Sequence, residues 1–237
     1  MMRQFAVEEV ERAIRKRANS ERARELAATI RSRAHIAGLS REDLIDILRE
    51  LKPTLPEVEE EFIWLNFLQD LWGSEYFEAR LLGLQLMYYI PDLVDAHLWG
   101  MLDHWTSAVD NWVLADWLGH VRAIAIHKNP SLVMRMAPWL QSVDPWRRRS
   151  AIVSLVYIDP QSRERQLLLG AQEIFAFLEP VIEERHLAVQ AAMSWLLRQV
   201  ESHYPEDFAE FLEQHRSRLP KVVLTSLHNK QVHSAPA

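Results

Sequence analysis

The sequence predicts an all-α protein, a HEAT-like α–α superhelix: a curved solenoid of about a dozen helices, taking roughly 8–20 residues per helix. Three observations predict it. Apolar residues recur at three- and four-residue spacing almost throughout, and alternating strand patterns are scarce. Glycine is rare, 6 in 237 residues, which disfavours turn-rich sheets and glycine phosphate loops. Three segments share a small/apolar pattern: Val109-Asp-Asn-Trp-Val-Leu-Ala, Arg149-Ser-Ala-Ile-Val-Ser-Leu and Gln190-Ala-Ala-Met-Ser-Trp-Leu. They begin 40 and 41 residues apart, the period of two-helix repeats. An irregular helical bundle fits the same degenerate pattern and stays open as the alternative.

The elements follow in order. Val7, Val10 and Ile14 form a first apolar stripe, and Leu44, Ile47, Leu48 and Leu51 another. Between them Ser40-Arg-Glu-Asp43 reads as a capping box. Asp144-Pro145 sets a cap residue before a first-turn proline, and Pro205 after Tyr204 does similar work. Pro53, Pro56, Pro91, Pro130 and Pro220 fall between stripes, where a missing N–H does least harm. Without a long linker, one helical-repeat domain over 1–228 is expected, followed by a flexible tail, 229–237.

Composition narrows the chemistry. The 49% hydrophobic and 25% charged balance is that of a soluble globular protein. The absence of cysteine removes disulfides, thiolate catalysis and the common zinc frameworks. No apolar run reaches membrane-spanning length and no signal core opens the chain, so a cytoplasmic protein without a membrane partner is expected. Histidines are scattered; His120 and His127 share a helix face without a third ligand, so no metal is implied. No Gly-x-Ser-x-Gly elbow is present.

Charge is unevenly placed. Met1–Arg33 carries a net +4, whereas Ala34–Glu78 carries −8, including Pro56-Glu-Val-Glu-Glu-Glu61, read as a solvated face. The whole chain carries −6, so any nucleic-acid binding must come from a local patch. Arg147, Arg148 and Arg149 open a helix, where like charges gain nothing from the positive dipole end. A phosphate-rich partner would relieve that cost; so would separate pairing with nearby carboxylates. Most of the 9 tryptophans are core anchors, with Trp64, Trp72, Trp112 and Trp117 in apolar stripes. Trp195 near Arg198 offers a ring and a guanidinium for stacking and phosphate contact. Asp110 stands at an apolar helix start, where it either stabilises the N-terminus or holds a charge for chemistry.

Together, Val109-Asp110-Asn-Trp-Val, Leu118-Gly119, Pro145-Trp146 with Arg149-Ser-Ala-Ile, and Val189-Gln-Ala-Ala-Met-Ser-Trp195-Leu-Leu-Arg198 resemble the AlkD-like DNA alkylation-repair family. The resemblance extends upstream to Leu71-Trp72 and Ala37-Gly38-Leu39 and covers about residues 20 to 215. It implies a solenoid holding duplex DNA in a concave basic groove. It also implies excision of cationic N3- and N7-alkylpurines without flipping the base into a pocket. On this resemblance Asp110 stabilises charge on the deoxyribose and positions water, Trp195 contacts the lesion, and Arg149 and Arg198 hold the backbone. Thr106 stands where the family has a second Trp, with Trp105 adjacent, and Thr29 where it has a Tyr.

The expected set is therefore Asp110 and Trp195 as catalytic residues. Arg147, Arg148, Arg149, Arg198, Trp105 and Thr106 are the expected DNA contacts. The partner is alkylated double-stranded DNA, no cofactor is implied, and a monomer is expected. Two other readings remain: a non-catalytic binder of damaged or branched DNA, and a protein-binding scaffold using the acidic block.

Overall fold

The computed structural model describes residues 7–55 and 57–229. Twelve α-helices follow one another there, so the all-α class holds. Two compact units divide the chain, one up to Trp117 and one from Leu118 onward. Of the expected C-terminal tail, 230–237 lies outside the described residues, as does Pro56 in the acidic block.

The first unit contains α1 (Val7–Arg17), α2 (Ser20–Ile30), α3 (Arg41–Leu51), α4 (Glu61–Gly73), α5 (Phe77–Tyr89) and α6 (Trp99–Thr106). It ends within α7 (Trp112–Lys128). Helix α5, with the sequence FEARLLGLQLMYY, is apolar on nearly every face. Ten of its 13 residues are buried and it packs against α1, α3 and α4. The Ser40 box is present: Ser40 Oγ accepts from Asp43 N while Asp43 accepts from Ser40 N. Pro53 and Pro91 lie in short 3-10 turns after α3 and α5. Trp64 and Trp72 are core residues, whereas Trp112 and Trp117 are half-buried.

Helix α2 buries only Ile30 and ends where Arg31 adopts a left-handed conformation, φ 56°. The segment after it is tied down by α5. Glu78, 2% exposed, accepts from the backbone amides of Ala37 at 3.0 Å, Gly38 at 2.8 Å and Leu39 at 3.3 Å. His35 pairs with the chain before α5, donating to Glu75 O and accepting from Phe77 N, both at 2.8 Å.

The second unit contains the rest of α7, then α8 (Pro145–Val153), β1 (Val156–Ile158), β2 (Arg165–Leu167) and α9 (Ala171–Leu178). It continues with α10 (Leu187–His203), α11 (Pro205–His215) and α12 (Lys221–His228). Helix α10 packs against α8, α11 and α12, and α9 against α11. Asp144 caps α8 by accepting from Trp146 N, with Pro145 at the first helical position, as expected. Strands β1 and β2 pair antiparallel, Val156 with Leu167 and Ile158 with Arg165. This hairpin is the departure from helical succession among the described residues. Its three-residue strands are too short to show a period of two.

Gly38 is the tightest joint. Its φ is +81°, and a Cβ there would lie 2.3 Å from Asn19 O and 2.5 Å from Ala23 N. Both neighbours are backbone, so no side-chain rotation relieves the clash. Gly38→Ala is expected to destabilise the fold by about 2–4 kcal/mol from overpacking and left-handed strain, read as a lowered midpoint in urea unfolding.

Candidate functional site

Asp110 lies in the turn between α6 and α7, and its neighbour performs the capping that the sequence reading allowed for it. Asn111, fully buried, accepts from Leu114 N through Oδ1 at 3.0 Å and thereby caps α7. With Oδ1 so committed, Asn111 Nδ2 donates to Asp110 Oδ1 at 2.9 Å. Asp110 is thus free of the helix end and receives three further donors from the segment after α2. Ser32 Oγ donates to Oδ1 at 3.1 Å; Arg33 donates to Oδ2 through its backbone N at 2.6 Å and Nε at 3.1 Å. Four donors fill the acceptor positions of the carboxylate.

The electrostatics follow from that geometry. Burial pushes the Asp110 carboxyl upward, but hydrogen bonds from the Arg33 amide, Asn111, the Arg33 guanidinium and Ser32 outweigh it. The group is held below the ordinary aspartate value. Its side chain is 12% exposed while that of Arg33 is 79% exposed. Asp110 is therefore a fixed, ionised charge at neutral pH whose counter-ion faces solvent.

Two expected DNA contacts of this unit lie in the core instead. Trp105 is 2% exposed and stacks flat on Trp72, ring centres 4.7 Å apart. Thr106 is fully buried and donates to Leu102 O at 2.7 Å. Both are the closing residues of the short α6, which face inward with Leu102 before the chain reaches Asp110. Thr29 is exposed on the last turn of α2.

In the second unit the three adjacent arginines point to different partners. Arg148, an expected DNA contact, is engaged within the protein. Its Nε and Nη2 donate to Glu184 at 2.7 and 3.1 Å and its Nη1 to Ser142 O at 2.6 Å. Burial raises the Glu184 carboxyl, but the Arg148 hydrogen bond, the His186 amide and the Arg148 charge prevail and hold it low. Arg147 lies 4.7 Å over the Trp139 ring, as does the fully buried Arg122. Arg149 donates to Ala188 O at the start of α10. On α10, Trp195 is half-buried, with its ring 6.2 Å from that of His120 and its Nε1 enclosed without an acceptor among the described residues. Arg198 donates to Ser226 Oγ at 2.8 Å; burial lowers its pKa, with Glu201 acting against that. Among the described residues, no three acidic or histidine side chains are grouped to hold a metal ion. None of the described helices is long and apolar enough to cross a membrane.

Sequence reasoning missed Ser32, Arg33 and Asn111. Asn111 carried a local signal, a cap-forming residue three before Leu114. Ser32 and Arg33 carried none, because they meet Asp110 across 78 and 77 residues of chain.

Two outcomes follow. Because the Asp110 pKa is lower folded than unfolded, its stabilisation is present above the unfolded value of about 3.9 and is lost as pH falls through the folded value. The stability deficit of Asp110→Asn is thus expected in full at pH 6–7, shrinking below about pH 4, measured by denaturant unfolding across pH. Arg148→Ala leaves Glu184, 8% exposed, without its counter-ion and is expected to cost about 3 kcal/mol in the same assay.

The family model for "DNA alkylation repair enzyme" matches residues 10–226. A solved structure, a predicted DNA alkylation repair enzyme from Enterococcus faecalis, shares the fold with a TM-score of 0.70 at 13% sequence identity. The match covers 92% of this chain and 98% of that one. No curated protein matches the sequence. With all but the ends of the chain inside the family model, this protein belongs to the DNA alkylation repair enzyme family.

Proposed function

We propose that the chain is a DNA N-glycosylase that binds duplex DNA and releases cationic N3- and N7-alkylated purines. The observation that carries this reading is the Asp110 carboxylate, partly buried, held ionised and fixed by four hydrogen bonds. In the reaction the C1′–N bond breaks with its electron pair going to the purine, which cancels the base's positive charge. Water supplies the oxygen that bonds to C1′ and releases a proton. Positive charge develops on the sugar between those events. A preorganised anion stabilises that charge without reorganising at the moment of reaction. A carboxylate with a lowered pKa and filled acceptor positions is a poor base, so Asp110 acts here as a charge and not as a proton acceptor. The leaving group is already cationic and needs no acid. Trp195 is proposed as the lesion contact, and Arg147, Arg149 and Arg198 as phosphate contacts.

One observation favours a second reading, a non-catalytic binder of damaged DNA: Arg33 already neutralises Asp110 in the free protein. Chromatography of purines released from dimethyl-sulfate-treated duplex DNA separates the two. Wild type is expected to release methylated purines and Asp110→Asn to release them about 100- to 1,000-fold more slowly, with DNA affinity retained. Equal release by the variant removes the proposed role of Asp110. A folded wild type that binds the DNA and releases nothing establishes the second reading.

A further inference from the structure

We infer that Arg33 and Arg80 form a binding site for one phosphodiester group of DNA beside Asp110, an inference that rests on the DNA-repair reading above. Neither arginine is assigned a role by the family resemblance. Arg80, on α5, donates through Nε to Ser74 O at 3.2 Å, and its guanidinium lies 5.8 Å from the Trp72 ring centre. Trp72 in turn is stacked on Trp105, so the guanidinium lies over one ring of a stacked aromatic pair. Among the described residues the Nη groups of Arg80 meet no acceptor, and those of Arg33 meet none either.

The local charge is unbalanced. Burial depresses the Arg80 pKa, Asp110 pulls it back and Arg33 pushes it down further, so the three charges feel one another. The geometry brings them into one neighbourhood: Arg33 stands two residues before His35, whose backbone pairs with Glu75 and Phe77, and Arg80 follows one turn along α5. The Asp110 carboxylate has already committed its acceptor positions to Ser32, Arg33 and Asn111, leaving none for Arg80. A half-buried cation with unused donors is short of an anion with several acceptors. A phosphodiester supplies two unbridged oxygens and one negative charge, matching the planar fork of a guanidinium. Exposed Arg33 reaches for solvent and Arg80 gives a fixed seat. Phosphate on Arg33 also draws its Nε from Asp110, leaving the carboxylate charge uncompensated where a sugar cation would form.

The test is the salt dependence of duplex DNA binding, read by fluorescence anisotropy on wild type, Arg33→Ala, Arg80→Met and Arg80→Lys. Arg33→Ala and Arg80→Met are each expected to flatten the slope of log affinity against log salt by about one, and Arg80→Lys to restore most of it. An unchanged slope in Arg80→Met with wild-type melting overturns the site. A parallel titration of wild type with inorganic phosphate, following arginine Nε–H signals by NMR, needs no variant. Perturbation of both the Arg33 and Arg80 signals supports the pair; perturbation of neither overturns it. Wild type that binds no duplex DNA overturns the repair reading and the phosphodiester with it. Phosphate shifts at both arginines would then retain the anion site for a small phosphate.

Discussion

A buried carboxylate on the central helix of the first unit organises what surrounds it. Glu78 lies among apolar side chains and would be costly there without compensation. The three consecutive amides of Ala37, Gly38 and Leu39 supply it. Only a tightly turned backbone presents three N–H groups to one side chain, and the left-handed Gly38 makes that turn. The segment between α2 and α3 is thereby fixed to α5. The residues just before it, Ser32 and Arg33, arrive at Asp110 as a consequence. The position of the candidate site thus depends on an acid that never touches it.

The same economy governs the turn that carries Asp110. Asn111 uses its carbonyl oxygen on the helix and its amide nitrogen on the carboxylate, so one side chain serves as helix cap and as clamp. Burial and hydrogen bonding oppose each other at Asp110, and hydrogen bonding prevails, with the Arg33 amide fixed by the backbone and Asn111 fixed by the helix it caps. The result is a charge with little freedom to move and a counter-ion with much.

The helical class, the Ser40 box, the Asp144 cap and the proline boundaries were legible because each depends on residues within one turn of one another. Asp110 was legible through its resemblance and its odd place at an apolar helix start. Its setting was not, since Arg33 is 77 residues away and no periodicity spans that distance. The burial of Trp105 and Thr106 was not legible for a different reason. Trp105 and Thr106 adjoin the site in sequence, but a short helix turns them into the core, and large rings go where area can be buried. Arg148 shows the limit of counting charges, because a run of three arginines reveals nothing about the glutamate 36 residues on that claims one of them.

The Asp110–Asn111 pair also bears on how the chain ages. Hydrolysis of an asparagine amide exchanges a donor for a second negative oxygen. At Asn111, itself closed to solvent, that exchange would set two carboxylates against each other. The bulky Trp112 that follows, together with complete burial, shields the amide from the backbone attack that begins such damage. The packing that orients the donor therefore also preserves its chemical identity over the life of the molecule.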